Sequence, residues 1–247
     1  MYNFKDALAR SSNTYFIING LKAGIQNIVR LGQRLHLTER TGLGTRQENA
    51  GIFPDAQMVS SGWHEGQTAN ICIGQGQIAV TPLQMAVMMS ALGNGGKVLW
   101  PRLVDRIEAP DPSLGEPPKV FAKGRVRDDL GVRSENLKLV REAMLAETQE
   151  AGATGLRAAV PGLEICGKTG TAQIMDNQYR TTANTAWFAS FAPFANPHYA
   201  VVVMLELEVN AGTGGKTCAP IAASIYRALL ERERAGTNST QRMASAN

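Results

Sequence analysis

The chain has 247 residues, of which 44% are hydrophobic and 19% charged, and its formal net charge is +4 at pH 7. This length and hydrophobic content are sufficient for a domain with a buried core, and they exclude a chain that is disordered throughout. The lysines and arginines are scattered along the sequence, which disfavours a nucleic-acid-binding function. Because no apolar run of about 18 residues occurs, we expect no membrane anchor within these residues.

The first half of the chain predicts helices joined by a long connection. Apolar residues recur about every 3.6 positions over residues 2–9 and 14–35, which predicts helical segments on either side of a polar turn. Residues 38–70 are rich in Gly, Thr, Asn and Ser and predict an irregular connection. The next helix should begin after Thr81, a candidate N-cap, and end at the glycines of residues 93–96.

The second half predicts a change from helices to strands. Residues 109–119 contain four prolines and predict a surface excursion, and residues 134–150 predict a further helix. Short β-rich runs then follow at residues 163–168, 185–193 and 199–209, and they predict an antiparallel sheet.

A closing helix is expected at about residues 219–233, and residues 235–247 are predicted to form a disordered tail. Helices, then a strand meander, then a closing helix are typical of an α+β domain, which we expect to span residues 1–234.

The three cysteines and three histidines form no metal-binding pattern. Cys72, Cys166 and Cys218 stand far apart without a C-x-x-C pair, and the histidines lack H-x-x-x-H spacing. We therefore expect three small buried thiols and no metal site.

The sharpest local motif is G-K-T-G-T at residues 167–171, which allows two interpretations. Residues 162–169 match the phosphate-binding pattern G-x-x-x-x-G-K-[ST], but that loop requires a helix starting at the lysine. The four residues between the glycines are strand-like, and Gly170 would weaken such a helix. Alternatively, Lys168 and Thr169 lie on an edge strand beside a cleft and hold a substrate carboxylate there.

The second interpretation is supported by the turn Ser-Ser-Asn at residues 11–13. The pair S-x-N and K-T-G is found in penicillin-binding proteins and serine β-lactamases. Four further segments are also similar to class B penicillin-binding proteins: residues 63–91, 186–193, 212–215 and 219–222. The chain thus resembles the transpeptidase domain of that family from about residue 4 to residue 233, which implies the α+β penicillin-recognising fold.

The resemblance implies a catalytic set of three residues. Ser11 would relay a proton near a nucleophilic serine and its lysine, and Asn13 would hold the peptide backbone of the substrate. Lys168 would add positive potential to the site, and its side chain should face that of Ser11 across a single cleft. Because Lys168 is predicted to be a strand residue near the surface, its replacement by alanine should change the folding free energy by no more than about 0.5 kcal/mol.

A second set would bind the substrate and consists of Ser12, Thr169, Gly170 and Thr171. Thr169 would hydrogen-bond the terminal carboxylate of a D-Ala-D-Ala stem peptide or of a β-lactam. Gly170 would leave room for the ligand. The backbone N–H of Thr171 would form part of the oxyanion hole, the group of donors that stabilises the negative oxygen during acyl transfer.

The implied reaction is D,D-transpeptidation, which crosslinks peptidoglycan stem peptides outside the bacterial cytoplasmic membrane. It requires no cofactor and no nucleic acid, and other cell-wall synthesis proteins are expected partners of the parent protein. The family's nucleophile motif S-x-x-K does not occur in the 247 residues. We expect that the chain begins after this motif, and that an anchor or export signal of the parent also lies outside it.

Three alternatives remain open. The chain could be a non-catalytic module that binds peptidoglycan or β-lactams, or a serine β-lactamase or penicillin sensor of the same superfamily. Residues 11–13 could also be an ordinary helix N-cap, which is the commoner use of such residues.

Overall fold

The computed structural model of the protein describes residues 2–108, 117–178 and 180–244, and it describes the backbone alone from residue 236 onward. Most of the proline-rich segment predicted at residues 109–119 therefore lies outside the described residues. The same is true of residues 245–247 at the end of the predicted tail.

Three helices form the N-terminal part: α1 (Phe4–Ala9), α2 (Asn13–Ala23) and α3 (Ile25–Arg34). The helical segment predicted over residues 14–35 is thus divided in two. The division lies at Gly24, whose φ of +81° is a left-handed conformation that ends α2 and that glycine adopts without steric cost.

The predicted irregular connection contains two short helices, α4 (Ala56–Ser60) and α5 (Glu65–Ile71). Helix α4 forms because its N-cap Asp55 accepts a hydrogen bond from the backbone N–H of Met58 at 2.8 Å. The prediction of a wholly irregular connection was therefore wrong for these two segments.

Two longer helices agree with the sequence. Helix α6 (Pro82–Gly93) begins with a capping box in which Thr81 and Gln84 exchange hydrogen bonds. Helix α7 (Ser134–Gln149) occupies the segment predicted at residues 134–150.

Strands β5 (Cys166–Met175), β6 (Thr181–Ala192) and β7 (Tyr199–Glu208) form an antiparallel sheet in that order, as predicted. Strand β5 starts later and extends further than the β-rich run predicted at residues 163–168. Lys168 therefore lies inside a strand that is at the edge of the described sheet.

Four short strands that the sequence did not predict form two small antiparallel pairs. Strand β1 (Lys97–Leu99) pairs with β4 (Val126–Asp129), and β2 (Arg106–Ile107) pairs with β3 (Lys119–Val120).

The last helix, α8 (Ala219–Ala244), follows a short helical turn at Gly214–Cys218. It extends through residues 235–244, for which the sequence predicted a tail. Arginine, glutamate and alanine at residues 231–235 favour helix, which agrees with this continuation. Among the described residues, no helix combines the length and apolar character that a membrane span requires.

The three-stranded sheet lies between two layers of helices. On one face Tyr226 of α8 packs against Phe188, and its hydroxyl lies 2.9 Å from Ser190 Oγ. On the other face Phe191 packs against Met89 of α6 and Met144 of α7. This arrangement confirms the predicted α+β class and packs helices against both faces of the sheet that contains β5.

Candidate active site

A cleft of about 920 Å³ opens between the N-terminal helices and strand β5. It is bounded by the turn after α1, by β5 and by the glycine-rich loop before α8. Six of the seven predicted site residues line it: Ser11, Asn13, Lys168, Thr169, Gly170 and Thr171. Ser12 is not among the lining residues, so the geometry does not support its predicted contact with substrate.

A hydrogen bond across the cleft joins two residues that are 157 positions apart in sequence. The Nζ of Lys168 donates a hydrogen bond to Ser11 Oγ. The backbone of Ser11 has φ of +52°, a conformation that is uncommon outside glycine, and it turns the chain sharply between α1 and α2. The prediction that Ser11 and Lys168 face one another across a single cleft is confirmed.

The side chains of this turn also test the simpler interpretation of residues 11–13 as a helix cap. Ser12 does occupy the N-cap position of α2, but its side chain makes no capping hydrogen bond. Ser11 directs its hydroxyl to Lys168 and lies 3.4 Å from Thr154 Oγ1. Capping therefore does not account for the side chains of this turn.

The strand context of Lys168 excludes the phosphate-loop interpretation. Lys168 is opposite Ala189 of the neighbouring strand, within a ladder that is regular from Cys166 to Ile174. A phosphate-binding loop would need a helix at this position.

A buried carboxylate that sequence reasoning missed completes the site. Glu147, near the end of α7, is fully buried, and its Oε1 lies 3.1 Å from Lys168 Nζ. The same oxygen accepts the backbone N–H of Thr169 at 2.7 Å and lies 2.8 Å from the hydroxyls of Thr169 and Thr154. Burial raises the pKa of Glu147 above its ordinary value, while Lys168 and the donors around it oppose that rise.

One signal could have identified Glu147. Leu137, Val140 and Met144 repeat at helical spacing and form the stripe of α7 that packs into the core. The stripe continues to position 147, so the pattern of the helix predicts a buried residue there. A carboxylate at a core position requires a partner, and that requirement points to a nearby cation.

The contact with Glu147 also changes the description of Lys168. The side chain is 29% exposed and forms an ion pair with a residue that has no solvent contact. The expectation that replacing Lys168 by alanine would have a small effect on stability assumed that the side chain is solvated. Because removing one partner of a buried pair leaves the other charge uncompensated, that expectation does not hold here.

The edge of β5 has a backbone donor, the N–H of Thr171, that points away from β6. In an antiparallel strand, N–H groups two residues apart point to the same side. Since the N–H of Thr169 points outward to Glu147, that of Thr171 also points away from β6. This direction agrees with the role predicted for Thr171 as an oxyanion donor.

The glycine-rich loop closes the end of the cleft against this strand. The backbone N–H of Gly214 donates to Thr171 Oγ1 at 3.2 Å. A Cβ atom on Gly214 would overlap the carbonyl oxygens of Trp187 and Gly170, so only glycine allows this approach.

The cleft is positively charged. Its described lining residues include Lys168, Arg157 and Lys216 and no aspartate or glutamate. A cleft with this charge favours ligands that carry a carboxylate.

The cysteines take no part in a metal site within the described part of the chain, which contains no cluster suited to a metal ion. Cys166 and Cys218 are buried, and burial raises the pKa of Cys166 to about 12. Cys72 is partly exposed and lines the cleft, so the expectation of three buried thiols was wrong for this residue.

Comparison with known proteins gives a consistent result. Residues 1–227 match the family model described as the penicillin binding protein transpeptidase domain. The chain is 30% identical to penicillin-binding protein PbpB of Mycobacterium tuberculosis over 94% of its own length and 34% of the relative. It is also 30% identical to the peptidoglycan D,D-transpeptidase MrdA of Haemophilus influenzae, over 89% of the chain and 35% of that relative.

A solved structure agrees with these sequence relatives. Penicillin-binding protein 3 of Mycobacterium tuberculosis, complexed with aztreonam, superposes with a TM-score of 0.81 at 29% identity. The match covers 94% of this chain and 52% of that one. The chain thus spans about a third of the two curated relatives and half of the solved structure. It belongs to the penicillin-binding protein transpeptidase domain family, as the S-x-N and K-T-G motifs predicted.

Proposed function

We propose that this chain supplies the substrate-holding part of a serine D,D-transpeptidase site that crosslinks peptidoglycan stem peptides. The observation that carries the proposal is the hydrogen bond between Lys168 Nζ and Ser11 Oγ, which brings the two family motifs together in one basic cleft. The relative MrdA is named a peptidoglycan D,D-transpeptidase, which agrees with this reaction class.

Each side chain has a role that follows from its position. Lys168 and Thr169 receive the terminal carboxylate of a D-Ala-D-Ala stem, because a cation and a hydroxyl together favour a carboxylate. Thr171 offers its N–H to the oxygen that becomes negative during acyl transfer. Ser11 accepts a hydrogen bond from Lys168, which leaves its own hydroxyl proton free to be passed onward, and Asn13 holds the peptide backbone.

The reaction also needs a nucleophile, and no S-x-x-K string occurs in the 247 residues. We place the nucleophilic serine and its base on a segment outside them. That serine attacks the carbonyl of the penultimate D-Ala and releases the terminal D-Ala, and an amine of a neighbouring strand then displaces the serine. These steps move acyl groups and protons only, so they need no cofactor, and we place them outside the cytoplasmic membrane, where the crosslinked polymer lies.

A non-catalytic module that binds D-Ala-D-Ala peptides or β-lactams is the second candidate. The positively charged cleft, which suits a carboxylate-terminated ligand, is the observation that supports it. Both candidates require that the cleft bind a carboxylate-terminated peptide, and they differ only in whether a serine is acylated.

The binding step can be tested on the chain itself. A stem peptide that ends in D-Ala-D-Ala should shift the amide resonances of Thr169 and Thr171 when titrated into the ¹⁵N-labelled chain. The same peptide with a C-terminal amide should shift them far less, because the carboxylate is lost. Equal shifts with both peptides, or no shifts at these residues, would contradict the proposed function.

A further inference from the structure

The carboxylate of Glu147 occupies a place that is unfavourable for a negative charge. It is fully buried, and it lies in the last turn of α7, where the backbone carbonyls give the helix a partial negative charge. An apolar side chain of similar volume would avoid the desolvation penalty of a buried ion pair. Core packing alone therefore does not explain a glutamate at this position.

The surroundings of Glu147 are residues of the cleft. Lys168 Nζ lies 3.1 Å from both of its carboxylate oxygens, and on its other side the ammonium group donates to Ser11. Glu147 thus fixes the lysine between one anion and one hydroxyl. Without this ion pair the lysine side chain could adopt other rotamers that point to solvent.

The backbone of the edge strand is fixed by the same group. The N–H of Thr169 donates to Glu147 Oε1 at 2.7 Å, in place of the strand partner that an edge lacks. The hydroxyls of Thr169 and Thr154 lie 2.7 Å apart, and each lies 2.8 Å from this oxygen.

One carboxylate oxygen has about two lone-pair sites, so it cannot accept all of these donors at once. The threonine hydroxyl that does not donate to Glu147 can donate either to the other threonine or to a bound carboxylate.

From these contacts we infer that Glu147 is a positioning residue, which holds Lys168 and Thr169 in the arrangement that receives the substrate carboxylate. This role rests on the proposed function. Glu147 itself does not line the cleft and acts through the two residues that do.

The test replaces Glu147 by glutamine, which keeps the volume and removes the charge. The matched control is Glu142→Gln, which removes a carboxylate from the same helix. The Glu142 side chain is 44% exposed and pairs with Lys138 at 3.8 Å. Each purified chain is treated with a limiting amount of acetic anhydride, and acetylation of each lysine is measured by mass spectrometry. Lys216, an exposed residue at the rim of the cleft, serves as the internal reference.

In the wild-type chain Lys168 should react more slowly than Lys216, because its ammonium group is paired on both sides. Glu147→Gln should raise the ratio of Lys168 to Lys216 acetylation several-fold, while Glu142→Gln should leave it unchanged. A purely structural role would instead increase labelling at lysines throughout the chain. An unchanged acetylation ratio in Glu147→Gln would overturn the inference. Equal acetylation rates for Lys168 and Lys216 in the wild-type chain would also overturn it, and this second result does not depend on whether the variant folds.

Peptide binding separates this inference from the proposed function. The D-Ala-D-Ala stem peptide should bind Glu147→Gln about tenfold more weakly than wild type, as expected for the loss of order at a charged hydrogen-bonding partner. Wild-type binding with no loss in Glu147→Gln would overturn the positioning role alone. A wild-type chain that binds no peptide would overturn the proposed function, while the acetylation ratio would still decide whether Glu147 anchors Lys168.

Discussion

At the scale of single residues, the site depends on a buried ion pair. Lys168 faces Ser11 on the side of the cleft and Glu147 on the side of the core, and within the ion pair only the lysine reaches solvent. The same side chain therefore contributes to the charge of the cleft and to the stability of the fold. A variant at this position must be assayed for both.

Replacing Lys168 by alanine should lower the free energy of unfolding by about 3 kcal/mol, because it leaves Glu147 buried without its cation. The double variant Glu147→Gln with Lys168→Ala should recover part of this loss, since the uncompensated charge is gone. Urea denaturation of both variants and of the wild type measures the difference.

The control for this cycle is Lys216→Ala, which should change stability by no more than about 0.5 kcal/mol because the residue is exposed. If Lys168→Ala cost no more than this control, the ion pair would have no stabilising effect.

At the scale of elements, the cleft exists because three separate segments meet at the edge of β5. The turn after α1 brings Ser11, the strand brings residues 168–171, and the glycine-rich loop packs on the end of the strand. Gly214 makes this last contact possible, since its Cα lies against the backbone of β5 and β6.

Gly214→Ala should therefore displace the loop and destabilise the protein by about 1–3 kcal/mol, as expected for overpacking at a close backbone contact. It should also weaken binding of the stem peptide, because the loop borders the cleft. The control is Gly66→Ala in helix α5, where a Cβ would meet only the ring of His64 and alanine favours the helix.

Thermal melting and peptide titration of these two variants provide the measurements. A Gly214→Ala protein that melts and binds like the Gly66→Ala protein would show that the loop tolerates a side chain.

At the scale of the whole molecule, the sheet and its two helical layers form one wall of the cleft, and the N-terminal helices form the other. The chain matches the family model over residues 1–227 but spans 34% of PbpB and 35% of MrdA. Its cleft contains the residues proposed to hold the substrate, whereas the 247 residues contain no S-x-x-K.

The chain by itself should not be labelled covalently by a fluorescent penicillin, because acylation needs the nucleophilic serine of that motif. A fusion that joins it to the S-x-x-K segment of a related transpeptidase should give a labelled band that survives denaturation. The fusion with its motif serine changed to alanine is the control. Labelling of the unfused chain would mean that another residue acts as the nucleophile.

Residue types and their order were sufficient to predict the α+β class, the main helices and the three-stranded sheet, because hydrophobic period and capping residues are local signals. They also predicted the contact between Ser11 and Lys168, through the family resemblance of two short motifs. The break at Gly24 was missed because one glycine in an apolar pattern does not identify a left-handed φ. The short strands β1 to β4 were missed because they depend on pairing between distant segments.

The partner of Glu147 in its buried ion pair was determined by the tertiary structure alone. The spacing of α7 could have predicted burial at this position, but only the approach of β5 to the end of that helix decides which cation compensates the carboxylate. A buried charge is stable only beside its partner, and Lys168 lies 21 positions away in sequence and 3.1 Å away in space.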